Sequence, residues 1–227
     1  MKITICTCSS RTFISSEAVA KVAASAHQAG IDVELVSDLC ELCQNKADAV
    51  HAIAATTIVA CHPRAVKGIM AYAGEDSIDS LNLRSMSADE VLKALGLEPA
   101  EVSHAATEVW KPQMAKMPCR LGDDAWYPAI DKDLCAECGK CLEFCPFGVY
   151  EMVDDRIRVV RPHSCKNNCP ACARTCPAGA IVFPKYERSP INGGEQQQEQ
   201  AIKLDTKEIF AKTLRERLEQ RKGILRN

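Results

Sequence analysis

No apolar run in the 227 residues approaches the roughly 20 needed to span a bilayer. A dominant charge sign is also missing. Lys and Arg number 28 against 30 Asp and Glu, a formal net charge of −2. That balance is too even for a disordered chain or for a nucleic-acid-binding domain with a strong basic field. The first residues, Met1-Lys2-Ile3-Thr4-Ile5-Cys6, lack the charged head, apolar stretch and small-residue cleavage site of an export signal. A cytoplasmic location is therefore expected, where cysteine serves metal or redox chemistry more readily than a disulfide framework. The five histidines (His27, His51, His62, His104 and His163) show no ligand spacing, and Cys-x-His pairs of the Rieske type are absent. Only His62 adjoins a cysteine, Cys61.

Cysteine itself is abundant. There are 14, and eight of them crowd into the 42 residues from Cys135 to Cys176. Around that cluster the sequence divides into four stretches. Residues 1–84 read as alternating strands and helices: Ile3-Thr4-Ile5, a helical stretch from Ile14 to Gln28 stopped by Gly30, then the alternating strand Ile31 to Val36. A helix near Lys46–Ala55, a third strand at Thr56 to Ala60 and a helix opened by Pro63 come next, with a fourth strand from Ile78 to Leu83. Such alternation predicts a small parallel sheet flanked by helices. Residues 85–130 hold one capped helix, started by Ser87-Ala88-Asp89-Glu90, and a Pro/Trp-rich linker expected to be irregular and packed against a neighbour. Residues 131–190 contain the cysteine cluster. Residues 191–227 are a polar tail and an amphipathic helix, with Ile209, Phe210, Leu214 and Leu218 at helical spacing. That helix packs on its own domain or docks a partner protein. The expected fold class is thus a small α/β parallel-sheet domain followed by an α+β two-cluster domain and a C-terminal helix.

The cysteine cluster is two runs. The first is Cys135-x2-Cys138-x2-Cys141-x3-Cys145-Pro146, and the second is Cys165-x3-Cys169-x2-Cys172-x3-Cys176-Pro177. An offset of 31 superposes Cys138 on Cys169, Cys141 on Cys172, Cys145 on Cys176 and Gly148 on Gly179; only the first cysteine slips by one place. Zinc ribbons use paired Cys-x2-Cys knuckles separated by a spacer, which does not account for the third cysteine or the Cys-Pro ending. The stretch 131–185 instead resembles a bacterial-type ferredoxin domain with two [4Fe-4S] clusters. The resemblance implies two short hairpins and two helices, one-electron transfer at low potential, and a fourth ligand for each cluster drawn from the other run. Carried over, Cys135, Cys138, Cys141 and Cys176 hold one cluster, and Cys165, Cys169, Cys172 and Cys145 the second. One feature departs from a freely diffusing ferredoxin with an acidic surface. Asp131 to Asp155 carries seven acidic and two basic residues, while Arg156 to Pro184 carries five basic and no acidic ones. A dipolar domain suits a fixed module in a larger redox assembly.

Five further cysteines follow the expected strands: Cys6 and Cys8 after the first, Cys40 and Cys43 past the second, Cys61 at the end of the third. In a parallel sheet the carboxyl ends of all strands share one edge, where such folds bind ligands. Burial as small core residues is the competing explanation for any one of these thiols; five at one edge favour a metal centre. Cys6-x-Cys8 after a short strand, Leu39-Cys40, and Val59-Ala60-Cys61-His62-Pro63-Arg64 resemble the N-terminal domain of the flavin-bearing polypeptide of heterodisulfide reductase. That resemblance covers residues 1–75 and implies a third [4Fe-4S] cluster on Cys6, Cys8, Cys40 and Cys61, with Cys43 as an alternative to Cys40. Arg64 would neutralise cluster charge or cap a helix. No Gly-x-Gly-x-x-Gly segment is present, and no flavin site is expected on this chain.

The expected role is an iron–sulfur electron-transfer subunit of a heterodisulfide-reductase-like or other cytoplasmic redox complex, not an enzyme by itself. Its partners would be redox proteins or complex subunits, with no nucleic acid and no membrane span. Other readings stay open: reduction of a small disulfide at the N-terminal site, an iron–sulfur sensor acting through the C-terminal helix, or a thioredoxin-like pair at Cys40-x2-Cys43. Cys119 has no cysteine neighbours and reads as a free thiol.

Overall fold

A computed structural model describes residues 1–9, 11–99, 103–118 and 124–195. The first strand, β1 (Lys2–Cys6), alternates β-branched side chains and is almost wholly buried after Lys2. It pairs in parallel with β2 (Asp32–Val36) on one side and β3 (Thr57–Ala60) on the other, with Ile3 opposite both Val33 and Thr57. β4 (Asp79–Asn82) extends the sheet beyond β3, giving the order β2-β1-β3-β4. The sequence reading of a small parallel sheet is therefore met. Thr4 is buried, and its hydroxyl lies 2.8 Å from that of Thr56.

Parallel neighbours need crossovers, and crossovers are right-handed. The chain moves one way across the sheet from β1 to β2 and the other way from β2 to β3 to β4, so the connecting helices fall on opposite faces. α1 (Ser16–Gln28), capped by the Ser15 hydroxyl, covers the first face. α2 (Leu39–Gln44), α3 (Ala49–Ala54) and α4 (Pro63–Ala73) cover the second, where α4 packs against both others. After β4 the chain returns to the α1 side as α5 (Ala88–Ala94), which starts with the expected Ser87–Glu90 capping box. The region expected to be irregular contains two further short helices, α6 (His104–Glu108) and α7 (Lys111–Ala115), packed on α1. Periodicity over five residues is too short to announce a helix in sequence. Trp110 at the start of α7 is buried, its ring 5.9 Å from that of His27.

The cysteine-rich part is smaller. β5 (Ala129–Ile130) pairs antiparallel with β8 (Ile181–Val182), and β6 (Tyr150–Val153) with β7 (Arg156–Val159). Only β6–β7 is a hairpin. Its turn residues Asp154 and Asp155 have φ of 50° and 57°, as a two-residue I′ turn requires. β5 and β8 are instead the two ends of the region closing on each other. Between the strands lie α8 (Lys140–Phe144) and α9 (Ala171–Thr175), each ending at the residue before a cysteine.

Residues 1–195 form one compact unit. α4 lies flush on β5, so close that a Cβ on Gly68 would come within 2.9 Å of the Ala129 methyl. Arg64 pairs with Asp131 at 2.6 Å and Lys67 with Asp133 at 2.7 Å. After β8, residues 183–194 return to the sheet half, where the Arg84 guanidinium donates to the carbonyls of Pro184 and Tyr186, both at 2.8 Å. The tail helix expected at the C-terminus and Cys119 lie outside the described residues.

Candidate metal centres

β1 is the strand at which the chain reverses its direction across the sheet. In open α/β sheets the crevice outside the carboxyl end of such a strand is the ligand site. Cys6 ends β1, Cys8 follows with φ of 49°, and Cys61 follows β3 directly. Cys40 sits in the first turn of α2, which begins three residues past β2 and is capped by the Asp38 carboxylate. These four cysteines line one pocket, together with Asp38, Arg84 and Lys185. Cys43 is not among its lining. One turn further along α2, its sulfur faces α4, 3.5 Å from the Met70 sulfur. The helix thus separates two cysteines that sequence spacing alone left interchangeable.

The pocket is built for sulfur carrying negative charge. The Leu39 amide donates to the Cys6 sulfur at 3.4 Å. Burial pushes the Cys6 and Cys40 thiols well above the usual thiol range and Cys61 up to about 12. Such thiols stay protonated until a cation takes the place of the protons. Two positive side chains wait beside them. Arg84 lies over the Phe13 ring at 4.0 Å and interacts electrostatically with Cys61, Cys8 and Cys40. Lys185, only 3% exposed, contacts the Asp38 carboxylate and stands 3.5 Å from Asp124. Burial by itself lowers the Lys185 pKa, but Cys40, Asp38 and Asp124 outweigh it and the net shift is upward. Lys185 belongs to the segment after β8, so the cysteine-rich half completes a pocket in the sheet half.

A [4Fe-4S] core held by thiolates is anionic, and the donor set fits it: four sulfurs, an amide donor and two cations. Among the described residues no three His, Cys, Asp or Glu side chains gather at the spacing of a single metal ion, here or in the cysteine-rich loops. A cubane places its thiolates at separate corners rather than around one point.

In the cysteine-rich half, Cys135, Cys138, Cys141 and Cys176 line one pocket of similar size to that at the sheet edge. Cys165 is an electrostatic neighbour of Cys145, Cys169 and Cys172, and Cys172 of Cys145 and Cys169; burial pushes Cys165 up to about 12 and Cys172 up to about 11. The Ala180 amide donates to the Cys176 sulfur at 3.3 Å and the Tyr150 hydroxyl to the Cys172 sulfur at 3.1 Å. The repeat seen in sequence extends to the backbone. Glu137 and Asn168, 31 positions apart, have φ of 49° and 59°, while Gly148 and Gly179 have 62° and 60°. Both loops therefore turn inward by the same left-handed step before their helices.

The two halves touch at a defined place. Arg11, in the loop after Cys8, donates to the side chains of Asn167 at 3.3 Å and Asn168 at 2.8 Å, and pairs with Asp124 at 2.8 Å. Trp126, under the Arg11 guanidinium at 5.4 Å, donates through its indole to the Cys169 carbonyl at 3.3 Å. Cys165 packs against the core of the sheet half. The sheet-edge pocket thus adjoins the Cys165–Cys172 loop. Sequence reasoning missed Asp38, Arg84, Lys185 and Tyr150, since none lies in a cysteine motif. It also misplaced Arg64, which binds Asp131 and the Gly179 carbonyl instead of lining the sheet-edge pocket or capping a helix.

Comparison with known proteins bears on the cysteine-rich half. Residues 127–177 match the family described as 4Fe-4S dicluster domain. An uncharacterised ferredoxin of Methanocaldococcus jannaschii is 46% identical over 63 residues, 27% of this chain and 43% of that protein. A second uncharacterised ferredoxin of the same organism is 43% identical over 54 residues, 23% of this chain and 86% of its own length. The iron-sulfur subunit of formate dehydrogenase of Haemophilus influenzae is 38% identical over 67 residues, 27% of this chain and 22% of that subunit. The chain thus spans less than half the length of the first of these relatives.

Proposed function

The chain belongs to the 4Fe-4S dicluster ferredoxins, and from that premise we propose that it is a three-centre electron relay within a larger redox complex. Cys135, Cys138, Cys141 and Cys176 hold one [4Fe-4S] cluster; Cys145, Cys165, Cys169 and Cys172 hold the second; Cys6, Cys8, Cys40 and Cys61 hold a third. Each cluster supplies one-electron redox chemistry at low potential. The protein's part is to fix positions, exclude water and set local charge. Arg84 and Lys185 offset the charge of the sheet-edge site, and the Leu39 amide bonds to its sulfur. Tyr150 and the Ala180 amide act likewise in the ferredoxin half.

The observation that carries this reading is the convergence of four thiols and two cations on one pocket at the switch point of the sheet. The contacts of Arg11 and Trp126 with the Cys165–Cys172 loop favour an order in which that site lies between the sheet-edge site and the Cys135–Cys141 site. The ligand pattern at the sheet edge supports membership of a heterodisulfide-reductase-like complex in the cytoplasm. Among the described residues, no helix is long and apolar enough to cross a membrane. The burial of Cys6, Cys8 and Cys40 favours a relay over a site that reduces a small disulfide. A redox titration of the full chain followed by low-temperature EPR tests the proposal. Three one-electron centres are expected, one of them lost in Cys61→Ser; two centres, both unchanged by that substitution, would contradict it.

A further inference from the structure

We propose that the groove between α4 and the β6–β7 hairpin is the docking site for a protein electron carrier with an acidic surface. This rests on the reading of Cys135, Cys138, Cys141 and Cys176 as cluster ligands. The groove has a volume of about 690 Å³. Lys46 and Tyr72 line its sheet-half wall, and Arg156 and Arg158 of β7 line the other. Ile130 and Ile157 line both the groove and the four-cysteine pocket. An occupant would therefore sit one residue layer from that centre.

Charge selects the occupant. Lys46, Lys132, Arg156 and Arg158 face Glu137 as the one carboxylate in the lining. Glu137 is engaged already, accepting from the Ile157 amide at 2.5 Å. Lys132 is held by Asp76, and Lys46 lies 4.9 Å over the Tyr72 ring. Arg156 and Arg158 have no ion-pair partner among the described residues. The acid opposite Arg158 across the hairpin, Glu151, is taken by Arg161 at 2.7 Å. The groove therefore offers positive charge that the chain itself does not neutralise. The chain's own C-terminal segment does not suit it, with eight basic and four acidic residues from Lys203 onward. Val153, 40% exposed within the lining, adds an apolar edge of the kind buried in protein–protein contacts. Complementary charge around a redox centre steers encounter and fixes orientation.

The probe is an oxidised, strongly acidic flavodoxin titrated against the full, cluster-loaded chain, with binding read by flavin fluorescence. Wild type is expected to bind, more weakly as ionic strength rises. Reversing two charges on one wall, R156E/R158E, should weaken binding at least about tenfold. Lys46→Glu on the facing wall should also weaken it, while Lys93→Glu on α5, outside the groove, should leave it unchanged. Failure of wild type to bind, unchanged binding in R156E/R158E, or an equal loss in Lys93→Glu would overturn the proposal. So would a dimer in sedimentation that R156E/R158E dissolves, since the groove would then be filled by a second copy. Iron content of each protein tests the cluster reading separately: a wild-type chain with no cluster on the Cys135 set sinks that reading whatever the flavodoxin does.

Discussion

In the ferredoxin half, three of the four thiols of each set lie within seven or eight consecutive residues, whereas at the sheet edge four thiols come from three separate segments across 56 positions. The first arrangement fixes its sulfurs by local backbone geometry, repeated nearly without change at Glu137 and Asn168 and at Gly148 and Gly179. The second fixes them by tertiary structure: a parallel sheet aligns the ends of β1 and β3, and α2 brings Cys40 across. The supporting cores differ accordingly. Among the described residues, twenty-nine buried ones form the core around the sheet, against eight in the ferredoxin half. A site made by local loops can be held by a small core and its metal. A site made by a sheet requires the fold first and the metal second.

The largest effect expected from that contrast is on metal removal. Stripping the iron anaerobically with a chelator should abolish hydrogen-exchange protection in α8, α9 and the β6–β7 hairpin, while β1 and β3 stay protected. Equal loss in both halves would erase the distinction. Next comes Cys61→Ser, expected to remove about one third of the iron and leave the EPR spectra of the other two centres intact. Lys185→Met should follow, since it removes the buried cation that contacts Asp38 and lies beside Asp124, leaving Asp124 only its pair with Arg11. A cost of about 3–5 kcal/mol in urea unfolding is expected, together with a lower potential at the sheet-edge centre only. By contrast, Lys67→Ala, which breaks an exposed pair with Asp133, should leave the same unfolding curve in place. Smallest among the measurable changes is Gly179→Ala. Nothing lies within 4 Å of the Cβ it would add, so only the left-handed backbone is penalised, by about 1–2 kcal/mol in the same assay.

Much of this was legible from the amino acids in order. The Ile3-Thr4-Ile5 strand, the Ser87–Glu90 capping box and the offset of 31 between the cysteine runs each depend on neighbours in sequence, and local spacing reports local structure. The convergence of Cys6, Cys8, Cys40 and Cys61 followed from one topological rule about parallel sheets. The choice between Cys40 and Cys43 did not, because it depends on which face of α2 meets α4. Arg84 and Lys185 were also invisible. They reach the pocket from after β4 and after β8, 101 positions apart, and nothing in their immediate sequence marks them as neighbours of sulfur. The short helices α6 and α7 escaped notice because a five-residue helix shows too little periodicity.

The central claim is that the sheet edge holds a cluster of its own, electrically coupled to the ferredoxin pair. Iron and acid-labile sulfide per chain, measured on protein purified without oxygen, test it most directly. About twelve of each are expected, three [4Fe-4S] clusters. About eight of each, with Cys6, Cys8, Cys40 and Cys61 all open to alkylation once the chain is denatured under non-reducing, metal-chelating conditions, would contradict it.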